Sequence, residues 1–326
     1  MYTVILYYNF KKIPDPKQFC QEHKGFCQSQ GLKGRVYIAQ EGINGTLSGT
    51  KENIERYKQY LCAQPGFSDT EFKEDDCSYI PFQKLIVKVR PEIVALKASV
   101  KIDPTTEHGK HLSPQEWKQA LESKEDYLLL DIRNDYEGKI GHFEGAVIPD
   151  AKKFYDFEKW IDRSNLDKNK KVLMYCTGGI RCEKFSLLME KKGFKDVYQL
   201  HGGIINYAQK VGDAHYKGKC FVFDDRLAIP VQKSGEDPVS QCDLCHEPCD
   251  DYINCANPLC NELYLCCPSC AEKMQGACSE ECQNSPIRRP FDPENMYAPS
   301  LKWYKYFDKK PKYSMTNSGL GSKVIV

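Results

Sequence analysis

Ten of the seventeen cysteines in this 326-residue chain fall between Cys242 and Cys282. Through residues 236–285 no helical or strand period is sustained, so this stretch offers no apolar face from which to build an ordinary core. Ligation through sulfur is the natural substitute. Two Cys-x2-Cys pairs, Cys242/Cys245 and Cys267/Cys270, stand 21 residues apart, close to the spacing at which four thiolates close a tetrahedral zinc site. Cys255-x4-Cys260 and Cys278-x3-Cys282 supply a second, interleaved set, in which Cys249, His246 or Cys266 could replace a member. Iron–sulfur ligation is the competing reading of the same thiolates. Because a tetrathiolate site has no open position, the expectation is two structural zinc ions that serve folding rather than chemistry.

Disulfides explain the cysteines less well. The opening residues MYTVILYYNF carry no basic leader or cleavage-type ending, and their apolar run is too short to span a membrane. A cytoplasmic protein is expected, where thiols stay reduced. The length favours two or three domains.

Ahead of the cysteine block the chain reads as two α/β units. Strands are expected at Thr3 to Tyr8, Val36 to Ala39 and Leu85 to Val89, and amphipathic helices at Pro16 to Gln30 and Lys51 to Ala63. This β-α-β-α-β rhythm suggests a small ferredoxin-like or acylphosphatase-like domain. Ala98 to Ser113 then reads as a linker, and Ser113-Pro114-Gln115-Glu116 as a capped helix start. Beyond it, three continuous apolar runs end in Asp131, Cys176 and His201. Such runs, separated by helical stretches such as Cys182 to Lys192, are the mark of a parallel sheet covered on both faces. In that architecture the carboxyl ends of the strands face the ligand crevice.

Cys176 is the candidate reactive centre. It follows a buried strand and opens the loop Cys176-Thr177-Gly178-Gly179-Ile180-Arg181. The two glycines let successive backbone N–H groups turn inward at a helix N-terminus, an anion-binding arrangement that favours thiolate. Arg181 adds a positive charge. The competing reading is a buried structural cysteine beside a glycine turn. Cys182 either resolves an oxidised or sulfur-bearing Cys176 or is simply a helix-face cysteine.

The stretch Leu128-Leu129-Leu130-Asp131-Ile132-Arg133, then Glu137, then Gly141-His142-Phe143-Glu144-Gly145-Ala146, followed by the Cys176 loop and Gly202-Gly203, resembles the rhodanese signature. Rhodanese-like sulfurtransferases carry a persulfide on the first cysteine of a six-residue loop. Related phosphatases use a longer loop, and here position 182 is cysteine, so the resemblance is to the sulfur branch. Three further stretches narrow it: Gly34 to Thr46, Gly218 to Arg226 and the block containing Asn254-Cys255-Ala256-Asn257. Together these motifs resemble the tRNA uridine-34 hydroxylase family, from Tyr7 to about Cys282. The resemblance implies oxygen-dependent conversion of the wobble uridine of tRNA to 5-hydroxyuridine, with Cys176 as the essential thiol and molecular oxygen as co-substrate. No flavin or nicotinamide fingerprint is visible. On this reading residues 1–97 form the ferredoxin-like domain, 98–113 a linker, 114–216 a rhodanese-like domain, 217–285 the zinc-binding region and 286–326 a basic aromatic tail. The alternatives are a persulfide-forming sulfurtransferase and a zinc-stabilised RNA- or protein-binding module.

A tRNA partner, engaged at its anticodon region, needs a cationic surface. Net charge is only +1, and residues 236–282 hold ten acidic groups against one basic, so the cysteine block is a poor backbone grip. Residues 288–312 hold seven basic groups against three acidic. Candidate RNA contacts are therefore Arg288, Arg289, Lys302, Trp303 and Lys305, since rings can stack on unpaired bases. A tail wrapped on the other domains explains the same residues. In the first domain Arg35 and Asn44, beside the turn Glu41 to Thr46, could approach a phosphate; a tight hairpin is the equal alternative.

Overall fold

The computed structural model describes residues 1–231 and 238–292, with the backbone of Tyr313–Met315 and Lys323–Ile325. The chain divides into two compact units, the first built from Met1–Asp224 with Pro230–Lys233 and the second from Asp225–Ile229 with Ser234–Val326.

The first domain of unit one follows the order β1 (Tyr2–Phe10), α1 (Pro16–Ser29), β2 (Lys33–Ala39), β3 (Gly42–Gly49), α2 (Lys51–Cys62), β4 (Phe72–Cys77) and β5 (Leu85–Val89). Its sheet runs β4-β1-β3-β2-β5, antiparallel except for the parallel pairing of β2 with β5. This is the ferredoxin-like arrangement with one added edge strand. Asp15 caps α1 by accepting from the amides of Lys17 and Gln18, with Pro16 in the first turn. Alternation then does the packing: Ile5 and Tyr7 of β1 join Val36, Ile38, Ile43 and Leu47 in a core closed by Cys27 of α1 and Ile54, Tyr57 and Leu61 of α2.

The structure corrects the expected rhythm at the turn 41–46. Residues Gly42–Gly49 form β3, paired with β1 on one side and with β2 on the other across a tight turn at Gln40-Glu41, so the hairpin reading of this turn holds rather than the phosphate-approaching loop. Glycines at 42, 45 and 49 hid the strand, and close packing demands them. A Cβ on Gly45 would lie 2.2 Å from the Tyr7 hydroxyl, so the strand is glycine-rich because its neighbours approach closely.

The second domain contributes β6 (Lys110–Leu112), α3 (Pro114–Glu122), β7 (Tyr127–Asp131), α4 (Asp135–Lys139), β8 (Gly141–Phe143), α5 (Phe157–Arg163), β9 (Lys171–Tyr175), α6 (Ile180–Lys191), β10 (Val197–Leu200), α7 (Gly203–Lys210) and β11 (Tyr216–Phe221). Its parallel sheet has the order β6-β10-β9-β7. The capping box at Ser113 and Glu116 forms as read. Two boundaries shift. The expected linker 98–113 contains β6, an edge strand whose three residues carry too little pattern to announce it. Residues 217–221, expected within the cysteine region, belong to β11, which pairs with β8.

Unit two holds short elements where the sequence sustains no period. A two-stranded ribbon, Tyr252–Asn254 with Leu263–Leu265, and short helices at Pro268–Lys273 and Glu280–Gln283 surround the cysteines. These elements are too short for sequence periodicity to register. Among the described residues no helix is long and apolar enough to cross a membrane.

Candidate active site

Cys176 emerges from the carboxyl end of β9, the strand flanked by β10 and β7, and is fully buried. Gly179 ends the loop at φ +103°, a conformation only glycine adopts without strain, and serves as N-cap of α6. Its amide donates to Cys176 Sγ at 3.1 Å. The loop carbonyls are held from the other side, where the amides of Ile204 and Ile205 in α7 donate to the carbonyls of Cys176 and Thr177 at 3.0 and 3.1 Å. Gly203 permits that approach, since a Cβ there would lie 2.5 and 2.7 Å from the same two oxygens. With its carbonyls tied back, the loop presents its N–H groups to the sulfur.

The electrostatics follow from this geometry. Burial alone would raise the Cys176 thiol, but the Cys182 thiol donating to it, the charge of Arg181 and the amides of Arg181 and Cys182 outweigh burial and pull it down to about 5. Burial and the adjacent Cys176 charge push Cys182 well up, so it stays a neutral donor. Both cysteines are buried and free, with no disulfide between them.

Arg181 and Thr177 are organised by a residue the motif reading quoted but gave no role. Glu137 of α4 accepts from Arg181 Nη1 and Nη2 at 2.6 and 2.8 Å, and Thr177 Oγ1 lies 3.2 Å from Arg181 Nη2. Both partners of the ion pair are buried. Asp131, at the end of β7, does not face the sulfur. It holds Arg133, whose Nη2 also reaches the Gly141 carbonyl, and it accepts from the Tyr175 hydroxyl at 2.9 Å. His201 lies partly exposed 3.3 Å from Glu71.

The first domain also enters this site. Tyr8 donates to Glu183 Oε1 at 2.9 Å, and His111 and Gln199 contact the same carboxylate at 3.0 and 3.2 Å. Lys184, 3 % exposed on α6, reaches Glu41 at 3.1 Å and also pairs with Glu92. Sequence reasoning missed this junction. The one available signal was the run Ile5-Leu6-Tyr7-Tyr8, apolar on both faces, which marks a strand covered on both sides.

The candidate RNA contacts separate. Arg35 is exposed on β2. Asn44 donates to the Ile93 carbonyl at 3.0 Å. Arg288 donates to the carbonyls of Gln283 and Gln275 at 3.0 and 3.2 Å, and buried Arg289 donates to that of Cys255. These three side chains are committed to backbone carbonyls, a use that a count of basic residues cannot detect. Lys302, Trp303 and Lys305 lie outside the described residues.

In unit two the sulfurs of Cys242, Cys245, Cys267 and Cys270 lie within 4.8 Å of one another, as do those of Cys255, Cys260, Cys278 and Cys282. Individual separations are 3.6 Å for Cys245–Cys267, 3.7 Å for Cys260–Cys278 and 3.9 Å for Cys278–Cys282. A tetrahedron with metal–sulfur bonds of about 2.3 Å has edges of about 3.8 Å, so both groups fit a metal ion. Cys249, His246 and Cys266 belong to neither group.

Family models match along the chain as the UPF0176 acylphosphatase like domain over residues 2–93, the Rhodanese-like domain over 113–210 and Rhodanase C-terminal over 217–283. A relative in Cytophaga hutchinsonii, named tRNA uridine(34) hydroxylase, is 46% identical over 93% of this chain and 96% of its own. Proteins of the same name in Protochlamydia amoebophila and Onion yellows phytoplasma are 42% and 46% identical, over 94% and 88% of this chain and 96% and 94% of theirs. With likeness at that level across all three regions, the chain belongs to the tRNA uridine(34) hydroxylase family.

Proposed function

We propose that this protein hydroxylates the wobble uridine, position 34, of tRNA to 5-hydroxyuridine, with Cys176 as the reacting thiol and molecular oxygen as co-substrate. The observation that carries the role of Cys176 is its thiol, held at about 5 in a loop of inward-facing amides. At neutral pH that sulfur is an anion, and the thiolate is the nucleophilic form. Replacing C5–H by C5–OH with O2 puts one oxygen atom on the base and reduces the other to water, which takes two electrons and two protons from an external reductant of the thiol class. An anionic sulfur adding to C6 of the pyrimidine makes C5 electron-rich, which is the carbon that must take up oxygen; loss of the C5 proton with departure of the sulfur from C6 then restores the ring double bond and the thiolate. Arg181 and Glu137 fix the loop around the sulfur, and Cys182 donates to it.

The two tetrathiolate groups are read as structural zinc sites that fold unit two. Arg35, and Lys302, Trp303 and Lys305 beyond the described residues, are our candidate contacts to tRNA. Mass spectrometry of tRNA nucleosides from cells lacking the protein tests the reading. Loss of 5-hydroxyuridine, restored by the wild-type chain but not by Cys176→Ala, is expected. Full restoration by Cys176→Ala would remove Cys176 from the chemistry, and unchanged 5-hydroxyuridine in the deletion would remove the reaction itself.

A further inference from the structure

Strand β1 divides its side chains between two neighbours. Ile5 and Tyr7 enter the first domain's own core, so Leu6 and Tyr8 leave by the opposite face. That face meets the Cys176 loop: a Cβ on Gly178 would lie 2.6 Å from Leu6 Cδ2, and one on Gly179 would lie 2.7 Å from Tyr8 Oη. Lys73 of β4 stands directly opposite Leu6 in the antiparallel register, which puts its side chain on the same face of the sheet. It is 7 % exposed, and its Nζ lies 5.2 Å from the centroid of the Tyr8 ring.

A buried ammonium needs an anion, because desolvation penalises its charge heavily. Among the described residues Lys73 has no ion pair. The nearby carboxylates are engaged elsewhere, Glu71 with His201 and Glu183 with Tyr8, His111 and Gln199. Burial lowers Lys73, and the charges of Glu71, Cys176 and Glu183 oppose that lowering. On the other side of the loop, the charge of Arg181 is largely neutralised by its bidentate pair with Glu137. The cation nearest the sulfur within its own domain is thus one already paired to a carboxylate.

We infer that Lys73, delivered by the first domain beside Leu6 and Tyr8, is the positioning cation that balances the anionic sulfur of Cys176. The groups that face this sulfur are then Arg181, Cys182 and Glu183 from α6, Glu137 from α4, Tyr8 from β1 and Lys73 from β4. The first domain is by this account part of the active site, which explains why Lys184 clamps α6 to Glu41 and Glu92. The inference deepens the reading of Cys176 as the working thiol, but its test measures sulfur ionisation rather than tRNA hydroxylation. Loss of the hydroxylase reading would leave that test standing.

The experiment is peptide-resolved alkylation of Cys176 by short iodoacetamide pulses between pH 5 and 9, on the full metal-loaded chain, read as the pH midpoint because burial slows the reaction by the same factor at every pH. Lys73→Met is expected to raise the midpoint by about one pH unit, a roughly tenfold slower reaction on the acid side. Lys73→Arg restores the wild-type profile. An unchanged profile in a Lys73→Met chain that unfolds at the wild-type temperature overturns the inference. Should Lys73→Met fail to fold, Lys73→Gln and Lys73→Arg make the same comparison, and coincident profiles for those two overturn it as well.

Discussion

Replacing Glu137 by glutamine tests whether the Arg181–Glu137 pair is the structural clasp of the loop. Both side chains are buried, at 8% and 0% exposure, and are joined at 2.6 and 2.8 Å. Removing one partner of a buried pair typically costs 3–5 kcal/mol, roughly, because the surviving charge is left in low dielectric. Glutamine keeps the volume and one acceptor oxygen, so the lower end, about 3 kcal/mol, is expected. For a unit of this size each kcal/mol moves the melting temperature by about 2–4 °C, giving a drop of roughly 6–12 °C. Urea unfolding followed by tryptophan fluorescence reports on the right region, since Trp117 is buried in the second domain. The double variant Glu137→Met/Arg181→Met, apolar and of similar size, should recover most of the loss. A single-variant loss under about 1 kcal/mol, against the roughly 3 expected, or a double variant no more stable than the single, refutes the argument, because the cost would then lie in packing and not in an orphaned charge.

Two glycines with opposite surroundings should respond oppositely. Gly179→Ala combines φ +103° with a contact at 2.7 Å to Tyr8 Oη and is expected to destabilise by at least about 1 kcal/mol. Gly25→Ala, inside α1 with nothing within 4 Å, should instead stabilise by about 0.5–1 kcal/mol. Thiol-reactive displacement of metal, read with a chromogenic chelator, should release two equivalents per chain from the wild type and one from Cys242→Ser or Cys255→Ser. Cys249→Ser and Cys266→Ser should still release two, because neither belongs to a group of four. The Cys176 thiol is depressed from 9.0 to about 5 on folding, so its contribution to stability is complete above the unfolded value and is lost as pH falls toward the folded one. The stability difference between wild type and Cys176→Ser should therefore shrink by about 1.4 kcal/mol per pH unit from about pH 9 to about pH 5, and a flat difference would contradict the thiolate assignment.

What could be read from the sequence depended on whether a residue's neighbours were close in the chain. The Cys176 loop was legible because β9, the two glycines and α6 are contiguous, and local backbone chemistry dictates where the N–H groups point. The four-by-four grouping of cysteines was legible because ligand spacing is itself a sequence property. The strand β3 was not, since its glycines answer to Tyr7 and Leu32, side chains from other elements. Nor was β6, whose partners in β10 lie 88 residues away and whose own three residues show no pattern. Arg288 and Arg289 mislead for a related reason: a basic residue near a chain's end looks solvated until the backbone carbonyls that engage it are in view.

The same distinction bears on how the charge at the active site is arranged. Sequence proximity singled out Arg181, five residues after the cysteine, as the cation of the loop, and Arg181 does lower the Cys176 thiol. Its guanidinium is nevertheless spent twice over, on both oxygens of Glu137 and on Thr177 Oγ1. A cation so engaged fixes geometry more than it supplies net field, since the dipole of a tight pair weakens with distance faster than a bare charge does. A residue without a bonded counter-ion does more for a buried anion at equal distance. In this fold the inferred residue comes from outside the loop's own domain, because Leu6 and Tyr8 of β1 lie against Gly178 and Gly179 and Lys73 of β4 lies beside them. On that inference the first domain contributes to the thiolate's electrostatics as well as to the packing against its loop.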